Sequence, residues 1–379
     1  VNATIPEYRQ GNVHNHPPTR ERKLLAHHIF GEFWLAFTDV DTREGFEIDG
    51  TYLLFRTAKG DLLPALATSW KLTDDPTVWE FKLRQGVKFH NGSAFNADDV
   101  VFSFERALQP TSDMKGLLTS IAKVSKVDDY TVHMATKGPN PLLPVYLTNL
   151  YVMDKDWAEA NSTVTVQDYK GKKDNHAVRN ANGTGPYAVV SREQDVRTVL
   201  KRNEAYWGKG SMPLGFSDIT FETIKADATR VAALIAGDVD LVQDVPVQDI
   251  EVLKRNASLR VNQGPENRTI FLGMDVTSPE LKSASVKGKN PFADRRVRQA
   301  INMAIDREAI KRAVMRGQSV PAGVVAPPFV NGYTKQLDAL PKVDVVKAKA
   351  LLKDAGYPDG FEITLHCPND RYINDGDIC

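Results

Sequence analysis

Four histidines near the start of the chain, His14, His16, His27 and His28, could offer neutral imidazole nitrogens to zinc, nickel or copper. No two of them share the i, i+4 spacing that sets both rings on one helix face, so solvated histidines are the competing reading. His90 falls in an expected turn, where a structural role competes with that of a base. The acid pairs Asp98-Asp99 and Asp128-Asp129 sit at a helix start and in a turn, where capping accounts for them without acid–base catalysis. Gly183-Thr-Gly185 matches a phosphate-binding loop in spelling only. Pro186 follows and a strand is expected next, so its backbone N–H groups are not set at a helix N-terminus. No G-x-S-x-G elbow, H-E-x-x-H helix or G-x-x-x-x-G-K-[ST] loop occurs. An enzyme reading therefore has no positive feature, and neither a metal nor a cofactor is expected. The two cysteines, Cys367 and Cys379, form no C-x-x-C pair; a disulfide in an oxidising compartment and two free thiols both remain open.

The elements that would position these residues are unevenly legible. Residues 1–47 keep neither a helical nor a strand period. From Tyr52 the pattern sharpens: Tyr52–Phe55 reads as a short strand and Trp79-Glu-Phe-Lys-Leu83 alternates as a half-buried strand does. Asn96 stands three residues before Asp99, the spacing of a capping box. A helix follows with Val100, Val101, Phe104, Ala107 and Leu108 on one face and Asp98, Glu105 and Arg106 outward, closed by Pro110. Leu147–Met153 reads as a strand, Ala188–Val190 as another, and 228–236 as a helix stopped by Gly237. Arg268–Met274 is a near-continuous apolar run of the kind found in buried strands. Asp294 and Asp306 each cap a helix, the second running to Gly317. Asp344 to Ala355 is a further helix with Gly356 as its stop, and Phe361–Leu365 a strand. The mixture predicts an α/β protein with more than one sheet.

With 379 residues the chain exceeds one ordinary core and predicts two domains. Lys plus Arg equals Asp plus Glu at 48 each, so no net field draws the chain to nucleic acid or an anionic membrane. An apolar share of 42% with 25% charged residues is enough to bury an interior, while no apolar run approaches the roughly 20 residues that span a bilayer. The first ten residues show no basic region followed by an apolar run, so no signal peptide is legible.

Three consecutive segments carry a family resemblance: Asp61-Leu-Leu-Pro-Ala-Leu-Ala-Thr-Ser-Trp70, Trp79–Gly92 and Ala94-Phe-Asn-Ala-Asp-Asp-Val-Val-Phe-Ser-Phe-Glu-Arg106. Asn140–Pro144, Gly183–Tyr187, Arg202–Trp207, Asp294–Asp306 and Ala348–Tyr357 follow in the same order. Together they resemble the bacterial extracellular solute-binding proteins of family 5, the peptide and nickel binders of ABC importers, over about residues 48 to 379.

The resemblance implies a two-lobed periplasmic binding protein-like fold (type II, cluster C) that closes on a ligand in an interlobe cleft. Residues 1–264 are then lobe one, with an inserted sub-domain at about 70–175, and 265–379 an incomplete lobe two, because family members continue beyond a position like Cys379. Residues 1–47 match neither the opening strand of the family nor the cleft-lining stretch after it. The implied partners are a small peptide or similar solute and ABC permease subunits in the inner membrane, with no nucleic acid, and a periplasmic monomer is expected. By analogy the ligand contacts are Asn149 and Tyr151 in lobe one and Asn267 and Arg268 beside the first crossing. Arg268 would pair with a ligand carboxylate and Tyr151 would stack on a side chain. Against this stands a reading with Tyr151 in the core and Arg268 in an internal ion pair. Nickel chelates, opines and glutathione are alternatives to peptide, as is an inactive remnant; a hydrolase is disfavoured.

Overall fold

The computed structural model describes Asn2–Thr4, Ala36–Thr38 and Gly45–Glu47, and residues 52–379 apart from 58–59, 169–170, 172–174, 211–213, 265–267, 329, 331 and 370. His14, His16, His27 and His28 lie outside the described residues, as does Asn267. Two units emerge, one of Val1–Gln243 with Asn256–Gln263 and one of Asp244–Arg255 with Gly264–Cys379. Both mix helices with antiparallel strand pairing or bridges, in an α/β protein.

The first unit holds the largest sheet, in the order Ala67–Leu72, Val78–Leu83, Thr131–Thr136, Ile121–Asp128, antiparallel throughout. Alternation sets its faces: Phe81, Leu83, Val132 and Met134 are buried, while Glu80, Lys82 and His133 point the other way. The inner pair of strands is in regular register. The outer strands slip by one residue, between Ala67 and Ser69 on one and at Ile121/Lys123 and Lys126/Asp128 on the other.

The helix Ala97–Ala107 covers the buried face. Its capping box forms as its sequence predicts: the Asp98 N–H donates to Asn96 Oδ1 at 2.7 Å and the Asn96 N–H to Asp99 Oδ2 at 2.9 Å. Val100, Phe104 and Ala107 are buried as expected. Phe102 and Ser103 are buried too, whereas Leu108 is exposed, because the strand Ile121–Asp128 and the segment after Met153 pack against this helix as well.

A second sheet joins Tyr187–Glu193, Arg197–Arg202 and Asp218–Glu222 around Tyr187, Leu200, Ile219 and Phe221. In a third, Asn2–Thr4 pairs antiparallel with both Leu241–Val242 and Arg260–Asn262. Three-residue strands such as Asn2–Thr4, Ala36–Thr38 and Gly45–Glu47 are too short to print a period of two, which is why the opening segment reads as patternless. The helix Asp227–Ala236 ends as expected at Gly237, whose φ of +77° is a left-handed stop. The strand expected over Leu147–Met153 is instead a 3₁₀ turn, Leu147–Asn149, followed by a single bridge at Tyr151. Leu147 and Leu150 are three apart and both buried, a spacing that a 3₁₀ turn satisfies on one side.

In the second unit the helices Arg295–Ala304 and Val345–Asp354 pack together, each N-capped by the expected aspartate, Asp294 or Asp344. The Arg296 Nη1 donates to Asp354 O at 2.7 Å and ties one helix to the end of the other. Leu281, Ala284, Phe292 and Val297 form a small core with Leu352, Tyr357 and Phe361 beside it. Asp306 caps a single turn, Arg307–Ala309, that widens into a π-helix at Ile310–Val314, unforeseen from sequence. The strands expected at Arg268–Met274 and Phe361–Leu365 are absent. A strand needs a partner, and the second run makes the single bridge Ala284–Ile363 with hydrogen bonds to Ser283 and Ser285 beside it, while Ile270, Phe271 and Leu272 stand exposed, Phe271 at 64%.

Candidate functional site

Tyr151 meets Tyr52. Burial of Leu53 and Leu54 on one segment and of Leu147, Leu150 and Val152 on the other leaves these tyrosines half-buried and facing each other. The Tyr52 hydroxyl donates to the Tyr151 hydroxyl at 2.7 Å, and the ring centroids are 4.5 Å apart. Asn149 ends the 3₁₀ turn two residues earlier, half-exposed. Tyr52 was not singled out from sequence, since strand-like apolar neighbours masked it. The pair offers aromatic surface with a polar tip, suited to hydrogen bonding or stacking with an organic ligand.

A second cluster in this unit is a closed polar knot. Asp154, 2% exposed, accepts from Asn91 Nδ2 at 3.0 Å, Asn182 Nδ2 at 2.8 Å, Ser93 Oγ at 2.5 Å and the Trp157 N–H at 3.0 Å. His90 Nε2–H donates to Gly185 O at 3.0 Å while Nδ1 accepts the Gly183 N–H at 3.2 Å, an arrangement that requires the neutral ring. Burial lowers its pKa, partly offset by the Gly185 carbonyl. Burial also raises the Asp99 pKa to about 6, against two backbone N–H donors, Lys155 and Asn96, that lower it. These bonds tie residues 90–99 to 154–157 and 182–185, so the knot positions backbone. Gly183-Thr-Gly185 leads into the strand Tyr187–Glu193 as its sequence predicts.

In the second unit Arg268 is exposed and its guanidinium carbon lies 5.3 Å from the centre of the Tyr372 ring; that of Arg371 lies 5.4 Å from the same ring. Tyr372 sits in a loop closed by a Cys367–Cys379 disulfide, which decides between the two open readings of those cysteines. An adjacent Arg-Tyr inside a cysteine-bounded loop was the signal available in the sequence. Elsewhere in the unit a cavity of about 610 Å³ is lined by Val247, Ile250, Glu308, Lys311, Arg312 and Arg316 among others. Among the described residues no group of three or more His, Cys, Asp or Glu is arranged to hold a metal, and no helix is long and apolar enough to cross a membrane.

Residues 61–379 match the sequence profile of the bacterial extracellular solute-binding proteins, family 5 Middle. The chain belongs to this family. Among its family 5 relatives is the glutathione-binding protein GsiB of Shigella flexneri serotype 5b (strain 8401), 30% identical over 303 residues, or 79% of this chain and 54% of GsiB. The chain thus spans about half the length of the curated relatives it matches. Solved structures agree on the fold. The PBP AgaA of A. tumefacien R10, in complex with agropinic acid, superposes with a TM-score of 0.70 at 28% identity, covering 87% of this chain and 62% of AgaA. The ABC transporter-associated periplasmic binding protein DppA of Helicobacter pylori, in complex with peptide STSA, gives a TM-score of 0.66 at 27% identity, over 82% and 61%. The fold is therefore that of the periplasmic binding proteins, as the segments that carry the family resemblance imply.

Proposed function

We propose that the protein is a periplasmic substrate-binding component of an ABC importer that captures di- or oligopeptides reversibly and hands them to a membrane permease, without catalysing a reaction. The family match over residues 61–379 carries this reading, and the peptide in the DppA complex supports the ligand class. Lobe one at 1–264 and lobe two at 265–379 belong to the same proposal, as does a monomeric state. Asn149, Tyr151, Asn267 and Arg268 are the proposed ligand contacts. Tyr151, held by Tyr52 through the hydroxyl pair, presents ring and hydroxyl; Arg268 presents a planar fork matched to a carboxylate.

Glutathione is a second reading, favoured by the GsiB relatives; it is itself a tripeptide with free carboxylates, so Arg268 serves both. Titration calorimetry and thermal shift with STSA, reduced glutathione and agropinic acid separate them. Ligand at about 100 times its Kd is expected to add about 2.7 kcal/mol of stability. Stabilisation by glutathione alone moves the assignment to the second reading. A flat response to all three sinks the transport reading and leaves the inactive-remnant alternative standing.

A further inference from the structure

The chain just after Tyr151 is gripped by the helix Ala97–Ala107. Asp99 and Ser103, both buried and one turn apart on that helix, reach two backbone groups that are two residues apart on the other segment. Asp99 Oδ1 accepts the Lys155 N–H at 2.9 Å, and Ser103 Oγ accepts the Met153 N–H at 2.8 Å. The Ser103 hydroxyl itself donates to Asp99 O at 2.6 Å. Between these two contacts the Asp154 carboxylate belongs to the knot with Asn91, Ser93 and Asn182.

Ser103 does its own helix no service. A hydroxyl that donates four residues back tends to bend a helix, and alanine is the better helix former. What this hydroxyl supplies, on a residue 5% exposed, is an acceptor for the Met153 N–H. Leu150 and Val152, 5% and 2% exposed, seat the chain on either side of Tyr151, while the Tyr52 hydroxyl meets the tip of its side chain. Apolar burial has no direction and leaves the chain free to shift along its seat. A hydrogen bond of fixed geometry two residues after Tyr151 removes that freedom.

We infer that Ser103 is a positioning residue for ligand binding: through the Met153 N–H it fixes the backbone that carries Tyr151, so that ring and hydroxyl are in place before a peptide arrives. The inference rests on the peptide-binding reading. It adds that part of the affinity is set by a buried helix residue that acts only through Tyr151.

Ser103→Ala removes the acceptor without harming helix propensity, and circular dichroism checks its fold. Titration calorimetry on the full chain, with STSA and in parallel with reduced glutathione, is expected to show the variant holding ligand about fivefold less tightly, the cost of ordering one contact that is no longer pre-set. In a Tyr151→Leu background the same change is expected to weaken binding no further, because both substitutions act on one contact. Hydrogen exchange supplies a readout that needs no Tyr151 variant. Residues 150–155 of Ser103→Ala are expected to exchange faster than in the wild type without ligand, and at the wild-type rate once ligand saturates the protein. Equal weakening in both backgrounds, or faster exchange that ligand does not reverse, marks a merely structural role and overturns the inference. An unchanged affinity in Ser103→Ala overturns it too, and in each of these cases peptide binding itself stands. A wild type that binds neither ligand overturns the peptide reading and the role of Ser103 with it.

Discussion

His90 and Asp99 are both held toward the neutral form, yet they tilt stability in opposite directions with pH. The folded His90 resists protonation, so the unfolded chain takes up the proton first; its contribution is complete above about 6.5 and is lost as pH falls through the lowered folded value. Asp99 in the folded state ionises near 6, where a free aspartate does so at about 3.8. The folded protein thus holds a proton that the unfolded chain has released. The stability this confers is complete below about 3.8 and is lost as pH rises to about 6, a change of about 3 kcal/mol. Asp99→Asn is expected to cost about 1 kcal/mol at pH 4.5, where the amide forfeits one acceptor. It should also remove the loss between pH 4.5 and 7.5. Thermal melts of both proteins at the two pH values check this: an unchanged difference in Tm between wild type and variant would mean that Asp99 titrates normally.

Among the elements, the helix Ala97–Ala107 is the one whose start is written most fully in its residues. Replacing Asn96 by Ala removes the acceptor for the Asp98 N–H and half of the capping box. The expected cost is about 1 kcal/mol in urea unfolding at an unchanged m value; a loss below about 0.3 kcal/mol refutes the assigned role. This helix was legible because both its signals are local, a cap and an apolar stripe within one run of chain. The same holds for Asp227–Ala236 with Gly237 and for Val345–Asp354 with Asp344. Arg268–Met274 misled because an apolar run states only that burial suits it; whether it becomes a strand depends on a partner that the run does not encode. The candidate contacts show a similar division. The types of Tyr151 and Arg268 marked them, but Tyr52 and Tyr372 reach them across 99 and 104 positions, beyond any local pattern.

For the whole molecule, the two units differ in how much interior they own. A single continuous core of large residues, including Leu66, Phe81, Phe95, Phe104 and Met134, lies under the main sheet of the first unit, whereas the buried apolar residues described in the second, among them Val247, Leu253, Leu281 and Val297, are fewer and smaller. Unfolding is accordingly expected to depart from two-state behaviour. In hydrogen exchange the amides of Val78–Leu83 and Thr131–Thr136 should be the slowest and those of residues 318–328 and 332–343, which lie in neither helix nor strand, among the fastest; uniform protection across both units refutes the expectation. The shifted registers of the main sheet bear on events between molecules rather than within one. A stray strand can add to a sheet only where N–H and C=O groups recur at constant spacing along an edge. On Ile121–Asp128 that spacing holds only from Lys123 to Lys126, and on Ala67–Leu72 it breaks near the start. With the irregularities confined to the two outer strands, only Ser69–Leu72 and Lys123–Lys126 keep regular spacing, so each edge is a short template for another chain, and aggregation in concentrated stocks is expected to begin at exposed apolar runs such as Ile270–Leu272.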